Sequence, residues 1–212
     1  NPQELKSIVD QQHLDQILRG VALAFKTGTS QLVVCNSEPE VSLGGGPAYF
    51  LDCAAHQLRL IIAGAGHIAR PLCEMATICG YAVTIIDDRP EYCASSNFPK
   101  ASQVICQEFT EYFEQVSLDE NTSIVLVTRG HKHDQDCLWR LRDRPVGYLG
   151  MIGSQRRVKA VMSDFEGKCS AGWLKSVHAP IGLKIGAQTP EEIAVCILAE
   201  MIGVRRGAIP KR

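Results

Sequence analysis

A chain of 212 residues is about one and a half times a typical domain, which points to one full domain with an appendage and leaves room for a sizeable core. Its 45% hydrophobic and 21% charged content excludes a disordered chain, and 22 basic against 23 acidic side chains, a net charge of −1, excludes bulk neutralisation of nucleic-acid phosphate. The longest uncharged stretch, Met75 to Ile86, runs roughly 12 residues where a spanning helix needs about 20, so no membrane span is expected. Nine scattered cysteines, an odd number with no Cys-x-x-Cys, suit a reducing compartment. Neither end shows a basic stretch followed by an apolar run, and the expected location is the cytoplasm.

Leu14, Ile17, Leu18, Val21 and Phe25 follow helical spacing, and Leu32 to Cys35 reads as a short strand. From Asn36 to Pro47 the glycines, prolines and serines mark a loop or linker. A boundary is expected near residue 57, with an N-terminal helix/strand appendage over 1–57 and the main domain over 58–212. Beyond it, Leu58 to Ala63 is an apolar strand broken only by Arg59. A glycine turn follows, and Ile68, Leu72, Met75, Ala76 and Cys79 form one helical face that Gly80 stops. Val83 to Ile86, Val104 to Cys106, Ser123 to Thr128 and Val146 to Gly150 read as strands, with helical patterns at Gln135 to Leu141 and Gln155 to Phe165. Strands apolar on both faces and alternating with helices predict an α/β fold, a doubly wound and mostly parallel sheet of Rossmann-like type. Thr189-Pro190-Glu191-Glu192 supplies an N-cap, a proline at the first helical position and a capping-box acid for a last helix through Ile193, Ile197, Leu198 and Met201, closed by Arg205, Arg206 and Gly207.

Three segments carry candidate chemistry. Gly64-Ala65-Gly66-His67 lies between a strand and a helix, where Gly64 permits a tight turn and Gly66 lets backbone approach a pyrophosphate; about 20 residues on, Asp87 ends the next strand, where an acid can hold ribose hydroxyls and Arg89 a phosphorylated ribose. A ligand-free strand-to-helix turn accounts for the same glycines. Thr128-Arg129-Gly130-His131-Lys132-His133-Asp134 follows another strand and is expected to face the same crevice. His131, His133 and Asp134 supply at most part of a metal sphere; the alternatives are contact of Arg129 and His131 with an anion or cofactor, with Asp134 capping the next helix, or a polar loop and nothing more. Gly150 to Arg157 repeats strand, glycine turn and helix; free amides at the helix start beside Ser154, Arg156 and Arg157 suit an anion cradle, while ordinary solvated charges account for either arginine alone. No Gly-x-Ser-x-Gly elbow, paired carboxylates or Cys/His arrangement stands out, so the chain offers a holding site before a reaction. His178 to Leu183 reads as a turn-rich connector that walls the crevice.

Taken in order, Gly64-Ala65-Gly66-His67, Asp87-Asp88-Arg89-Pro90, Thr128-Arg129-Gly130-His131 with Asp134, Tyr148 to Arg157, Ala179-Pro180-Ile181-Gly182-Leu183 and Thr189-Pro190-Glu191-Glu192-Ile193-Ala194 resemble the XdhC/CoxI family of accessory proteins. The resemblance covers about residues 58–207. It implies a C-terminal Rossmann domain that binds the molybdenum cofactor, a molybdopterin, supports its sulfuration with a cysteine desulfurase and delivers it to a molybdenum hydroxylase apoenzyme such as xanthine dehydrogenase. The implied crevice residues are Gly64, Gly66, His67, Asp87, Arg89, Thr128, Arg129, His131, Gly153 and Ser154, with no catalytic residue and no protein metal ligand. Residues 1–57 hold no match to the Gly-Ser-Ser-Pro-Arg-type segment of the family's N-terminal domain. Two rival readings use the same turn: an NAD(P)-dependent oxidoreductase with His131 or His133 as acid or base, and a nucleotide-sensing module that acts through a homodimer.

Overall fold

The computed structural model describes residues 13–27, 31–34, 48–51 and 57–209. The chain divides into two compact units, residues 1–56 and 57–212. In the first, helix α1 (Leu14–Thr27) accompanies strands β1 (Gln31–Val34) and β2 (Ala48–Leu51), which pair antiparallel with Gln31 opposite Leu51. Buried Ile17 packs with Val21, Val33, Tyr49 and Leu51. The expected helix and first strand are present. Strand β2 was hidden in sequence by its four-residue length and by the Gly44-Gly45-Gly46-Pro47 run before it. The loop expected over 36–47 lies outside the described residues.

The second unit is built on β3 (Leu58–Ala63), β4 (Tyr81–Asp87), β5 (Gln103–Cys106), β6 (Thr122–Leu126), β7 (Tyr148–Met151) and β8 (Val177–His178). The six strands are all parallel in the order β5-β4-β3-β6-β7-β8. Its helices are α2 (Ala69–Ile78), α3 (Phe109–Gln115), α4 (His131–Leu141), α5 (Gln155–Ser163), α6 (Ala171–Ser176) and α7 (Pro190–Arg205). Alternation along β3 feeds two cores. Leu60 and Ile62 pack with Leu72 and Ala76 of α2 and Ile197 and Met201 of α7; Ile61 and Ala63 pack with Phe113, Leu138 and Val161 of α3, α4 and α5. Each buried aliphatic side chain of this kind contributes roughly 1.5–3 kcal/mol, so the sheet is held from both faces.

Several elements differ in extent from the expectation. Helix α4 starts at His131, a turn before Gln135, because a polar first turn carries no apolar period to read. Asp134 therefore lies inside the first turn, and the N-cap is Gly130 with no side-chain cap, which corrects the assignment of Asp134 as the cap. His178 is the last residue of the sheet's edge strand β8, not the start of a connector. Between β4 and β5, where a doubly wound fold commonly has a helix, the chain forms two 3₁₀ turns, Pro90–Tyr92 and Ser95–Asn97, and Phe98 fills the core beneath.

The capping box at α7 is complete: Thr189 Oγ1 accepts from Glu192 N at 3.2 Å, and the Glu192 carboxylate accepts from Thr189 N at 3.1 Å. Thr189→Ala is expected to lower stability by about 1 kcal/mol, a fall of about 2–4 °C in the calorimetric midpoint, because one orphan amide loses its acceptor. An unchanged midpoint would show that packing of α7 alone holds that end.

Candidate functional site

The strand order reverses direction between β3 and β6, the point at which open α/β sheets commonly receive ligands at their C-terminal edge. Gly64 directly follows β3 with φ +110°; a Cβ there would lie 2.5 Å from Val127 O. The close approach is pinned from both sides, since Gly64 N donates to Ile86 O at 2.8 Å and Val127 N donates to Ala63 O at 2.9 Å. Gly66, by contrast, faces open space: a Cβ would meet nothing within 4 Å. Among the described residues the Gly66 and His67 amides have no partner, while Ala69 N closes the turn on Gly66 O at 3.0 Å. His67 is exposed on the rim. These amides precede α2 and point their partial positive charge at whatever enters.

Asp87, the last residue of β4, is 1% exposed. One carboxylate oxygen accepts from Ala65 N at 2.7 Å and from the Arg89 guanidinium at 3.0 Å; the other accepts from Arg89 N at 3.0 Å and Arg89 Nε at 2.8 Å. Burial would raise this carboxyl, but the Arg89 and Ala65 donors outweigh it and hold it below the usual range. Asp87 thus clamps the glycine turn to the β4 end, and Arg89 is fixed in turn by stacking 3.6 Å over the Tyr92 ring. Its neighbour Asp88 accepts from Arg129 at 2.7 Å. Because β4 and β6 flank β3, this ion pair joins the loops on either side of the Gly64 turn.

The loop after β6 holds Thr128, 5% exposed, whose hydroxyl lies 2.6 Å from Asp134 Oδ1. The other Asp134 oxygen accepts from Arg157. Burial dominates at Asp134 and pushes its carboxyl up, against the pull of Thr128 and Arg157. The His133 ring packs edge-on against Phe109 at 5.5 Å, so His133 and Asp134 are each committed to packing or pairing inside the fold. His131 opens α4. Ser154 caps α5, its hydroxyl accepting from Arg157 N at 3.2 Å, with Gly153 just before it.

Between the starts of α4 and α5 lies a cleft of about 570 Å³ lined by Arg129, Gly130, Ser154, Arg156, Arg157 and Ala160. Arg129 and Arg157 are partly neutralised by Asp88 and Asp134; Arg156 is exposed and has no ion-pair partner among the described residues. Three guanidinium groups and two helix starts concentrate positive potential in one concavity, a donor set suited to phosphate or carboxylate. Gly64, Gly66 and His67 belong to the turn after β3, and Asp87 and Arg89 to the end of β4; Thr128 and Arg129 belong to the loop after β6, His131 to the start of α4, and Gly153 and Ser154 to the start of α5. Sequence reading missed the internal use of Asp87 and the Asp88–Arg129 and Asp134–Arg157 pairs. Its only signal for the last was an acid in a helical first turn.

This strand order, with a glycine turn at the reversal point, defines a Rossmann-type domain. Residues 60–201 match the XdhC Rossmann domain, and the chain belongs to that family. It is 38% identical over 148 residues to a probable xanthine dehydrogenase subunit of Bacillus subtilis (strain 168), covering 70% of this chain and 43% of that protein. It is 28% identical over 167 residues to the protein YqeB of Escherichia coli (strain K12), covering 78% and 30%. The chain therefore spans less than half the length of these curated relatives. A crystal structure described as a xanthine dehydrogenase from Bacillus halodurans superposes with a TM-score of 0.67 at 22% identity, covering 95% of this chain and 67% of that one, a likeness of fold. Among the described residues, no helix is long and apolar enough to cross a membrane.

Proposed function

We propose that this domain holds an anionic, phosphate-bearing molybdopterin cofactor at the sheet's C-terminal edge and passes it to a molybdenum hydroxylase apoenzyme of the xanthine dehydrogenase type. The observation that carries the reading is the three-arginine cleft between the starts of α4 and α5, together with the open backbone at Gly66. Phosphate would be met by the amides before α2 and at the start of α5, and further anionic groups by Arg129 and Arg156. The residues present fit such a guest: Gly66 leaves bare backbone where a side chain would obstruct, and Arg156 is a charge with no protein partner among the described residues. The bound group supplies all the redox chemistry; this chain's residues bind and orient it. A role in sulfuration alongside a cysteine desulfurase belongs to the same proposal. The connection to a xanthine dehydrogenase is supported by the family and by the name of the Bacillus subtilis relative.

A bare dinucleotide is the weaker guest, because Asp87, the ribose hook of such folds, already uses both oxygens on Ala65 and Arg89. The test is mass spectrometry of small molecules released from freshly purified protein, followed by transfer to apoenzyme. A phosphorylated pterin that activates the apoenzyme is expected; release of NAD(P) with hydride-transfer turnover would overturn the proposal in favour of an oxidoreductase. Arg156→Ala is expected to weaken cofactor binding about tenfold in titration calorimetry without moving the thermal midpoint, since it removes one charge-assisted contact and no internal partner. Equal affinity would place the anion elsewhere.

A further inference from the structure

Outside this arginine cleft, the molecule brings two thiols to the ends of neighbouring strands. Cys93 follows the 3₁₀ turn Pro90–Tyr92 in the β4–β5 connection, and Cys106 is the last residue of β5. The Cys93 sulfur lies 3.2 Å from Arg89 O, 3.3 Å from Asp87 O and 3.8 Å from Ile105 O. Cys106 directly follows Ile105 and is paired in register with Asp87, so two of the three carbonyls around the Cys93 sulfur belong to immediate neighbours of Cys106. The Cys106 side chain is in contact with the Cys93 thiol, whose sulfur is lodged between the two strand ends, and that contact is where a disulfide would form. The two thiols differ in access: Cys106 is exposed and Cys93 half-buried.

We propose that Cys93 and Cys106 form a redox-active dithiol that closes to a disulfide across the β4 and β5 ends, beside the clamp that Asp87 and Arg89 place on the glycine turn. With a peroxide as oxidant, the exposed Cys106 sulfur attacks the O–O bond; one oxygen leaves as water and the other stays as a sulfenic acid on Cys106. The Cys93 sulfur then attacks the Cys106 sulfur, and its proton leaves with the hydroxyl as a second water. Two thiols lose two electrons, which reduce one peroxide to two waters. Burial, with Cys106 alongside, pushes the Cys93 thiol up to about 12, which leaves the exposed Cys106 as the sulfur that meets the oxidant first. Closure also withdraws the S–H that Cys93 offers to the Asp87 and Arg89 carbonyls, so the oxidation state of the pair acts on the segment that holds the clamp.

The full chain is treated with one equivalent of hydrogen peroxide, alkylated and digested with trypsin without reductant. Lys100 separates the two cysteines, so they leave on different peptides unless a disulfide joins them. The expected result is a linked pair that fragmentation assigns to Cys93 and Cys106, absent after dithiothreitol and absent in Cys106→Ser and Cys93→Ser. Recovery of both cysteines as alkylated thiols, Cys106 oxidised to sulfinic acid with no link, or links spread over Cys79 and Cys169 would each overturn it. The wild-type peptide map is decisive even where a variant folds poorly.

Discussion

Replacing Gly64 by alanine is expected to destabilise the domain by about 3 kcal/mol or more and to lower its thermal midpoint by about 6–12 °C. At φ +110° a side-chain-bearing residue is strained, and the new Cβ would sit 2.5 Å from a backbone oxygen, Val127 O. That oxygen cannot withdraw cheaply, because the Val127 amide is tied to Ala63 O in the strand ladder. Gly66→Ala provides the matched contrast. Its Cβ meets nothing within 4 Å, so the midpoint should stay within about 1–2 °C of the parent, whereas cofactor affinity should fall at least about tenfold as the methyl fills the space a phosphate would take. Scanning calorimetry and titration calorimetry on both variants separate folding from binding. A Gly64→Ala protein with the parent's midpoint would deny the close approach; a Gly66→Ala protein that binds like the parent would remove the glycine turn from the ligand site.

The second large effect lies under α7. Glu200 is 1% exposed within the core formed by α7, and one of its oxygens accepts from Tyr148 Oη at 2.8 Å and Gly182 N at 2.7 Å. His178 Nδ1 stands 3.3 Å from the other oxygen, and its ring stacks on Tyr148 with centroids 4.7 Å apart. Burial would raise the carboxyl; His178, Gly182 N and Tyr148 together outweigh it and bring it down to about 2. Taken against an ordinary value of 4.5, a lowering to about 2 corresponds to about 3 kcal/mol of stability. Because the folded-state value is the lower one, that contribution is complete above about pH 4.5 and is lost as pH falls toward 2. Glu200→Gln should therefore show a lower midpoint at neutral pH and a flatter dependence of midpoint on pH between 5 and 2, measured by scanning calorimetry. Glu200→Ala should cost more, about 3–5 kcal/mol, since Tyr148 and Gly182 N lose their acceptor and His178 its neighbouring carboxylate. Parallel pH profiles for parent and Glu200→Gln would show that this carboxylate does not carry the acid sensitivity.

Much of the site was legible one segment at a time. The glycine turn, the acid at the end of β4, the Thr128–Asp134 loop and the Gly153-Ser154 start of α5 each stand where a strand meets a helix, and local residue chemistry announces such junctions. What each side chain does there was not legible. Asp87 reads in sequence as a ribose acceptor, and the structure turns it inward onto Ala65 and Arg89. The Asp88–Arg129 pair joins residues 41 positions apart, and Arg157–Asp134 joins residues 23 apart. Both follow from which strands are neighbours, and nothing in either local sequence specifies that. Glu200 left a faint trace, an acid among the apolar residues Ile197, Leu198 and Met201 of the last helix, but its partners come from β7, β8 and the loop at Gly182.

By itself the sequence determined the α/β class, the run of buried strands, the capped last helix and the presence of several glycine-bearing turns after strands, because hydrophobic period, capping and turn chemistry act over a few residues and need no knowledge of distant neighbours. Tertiary structure alone decided the strand order β5-β4-β3-β6-β7-β8, the two-residue edge strand β8, and the gathering of Arg129, Arg156 and Arg157 around one cleft. Parallel strands are paired through long crossovers, and their register is settled by how two apolar faces pack at once. The charges that meet at the strand ends are therefore set by the packed sheet as a whole, and become readable only once it is assembled.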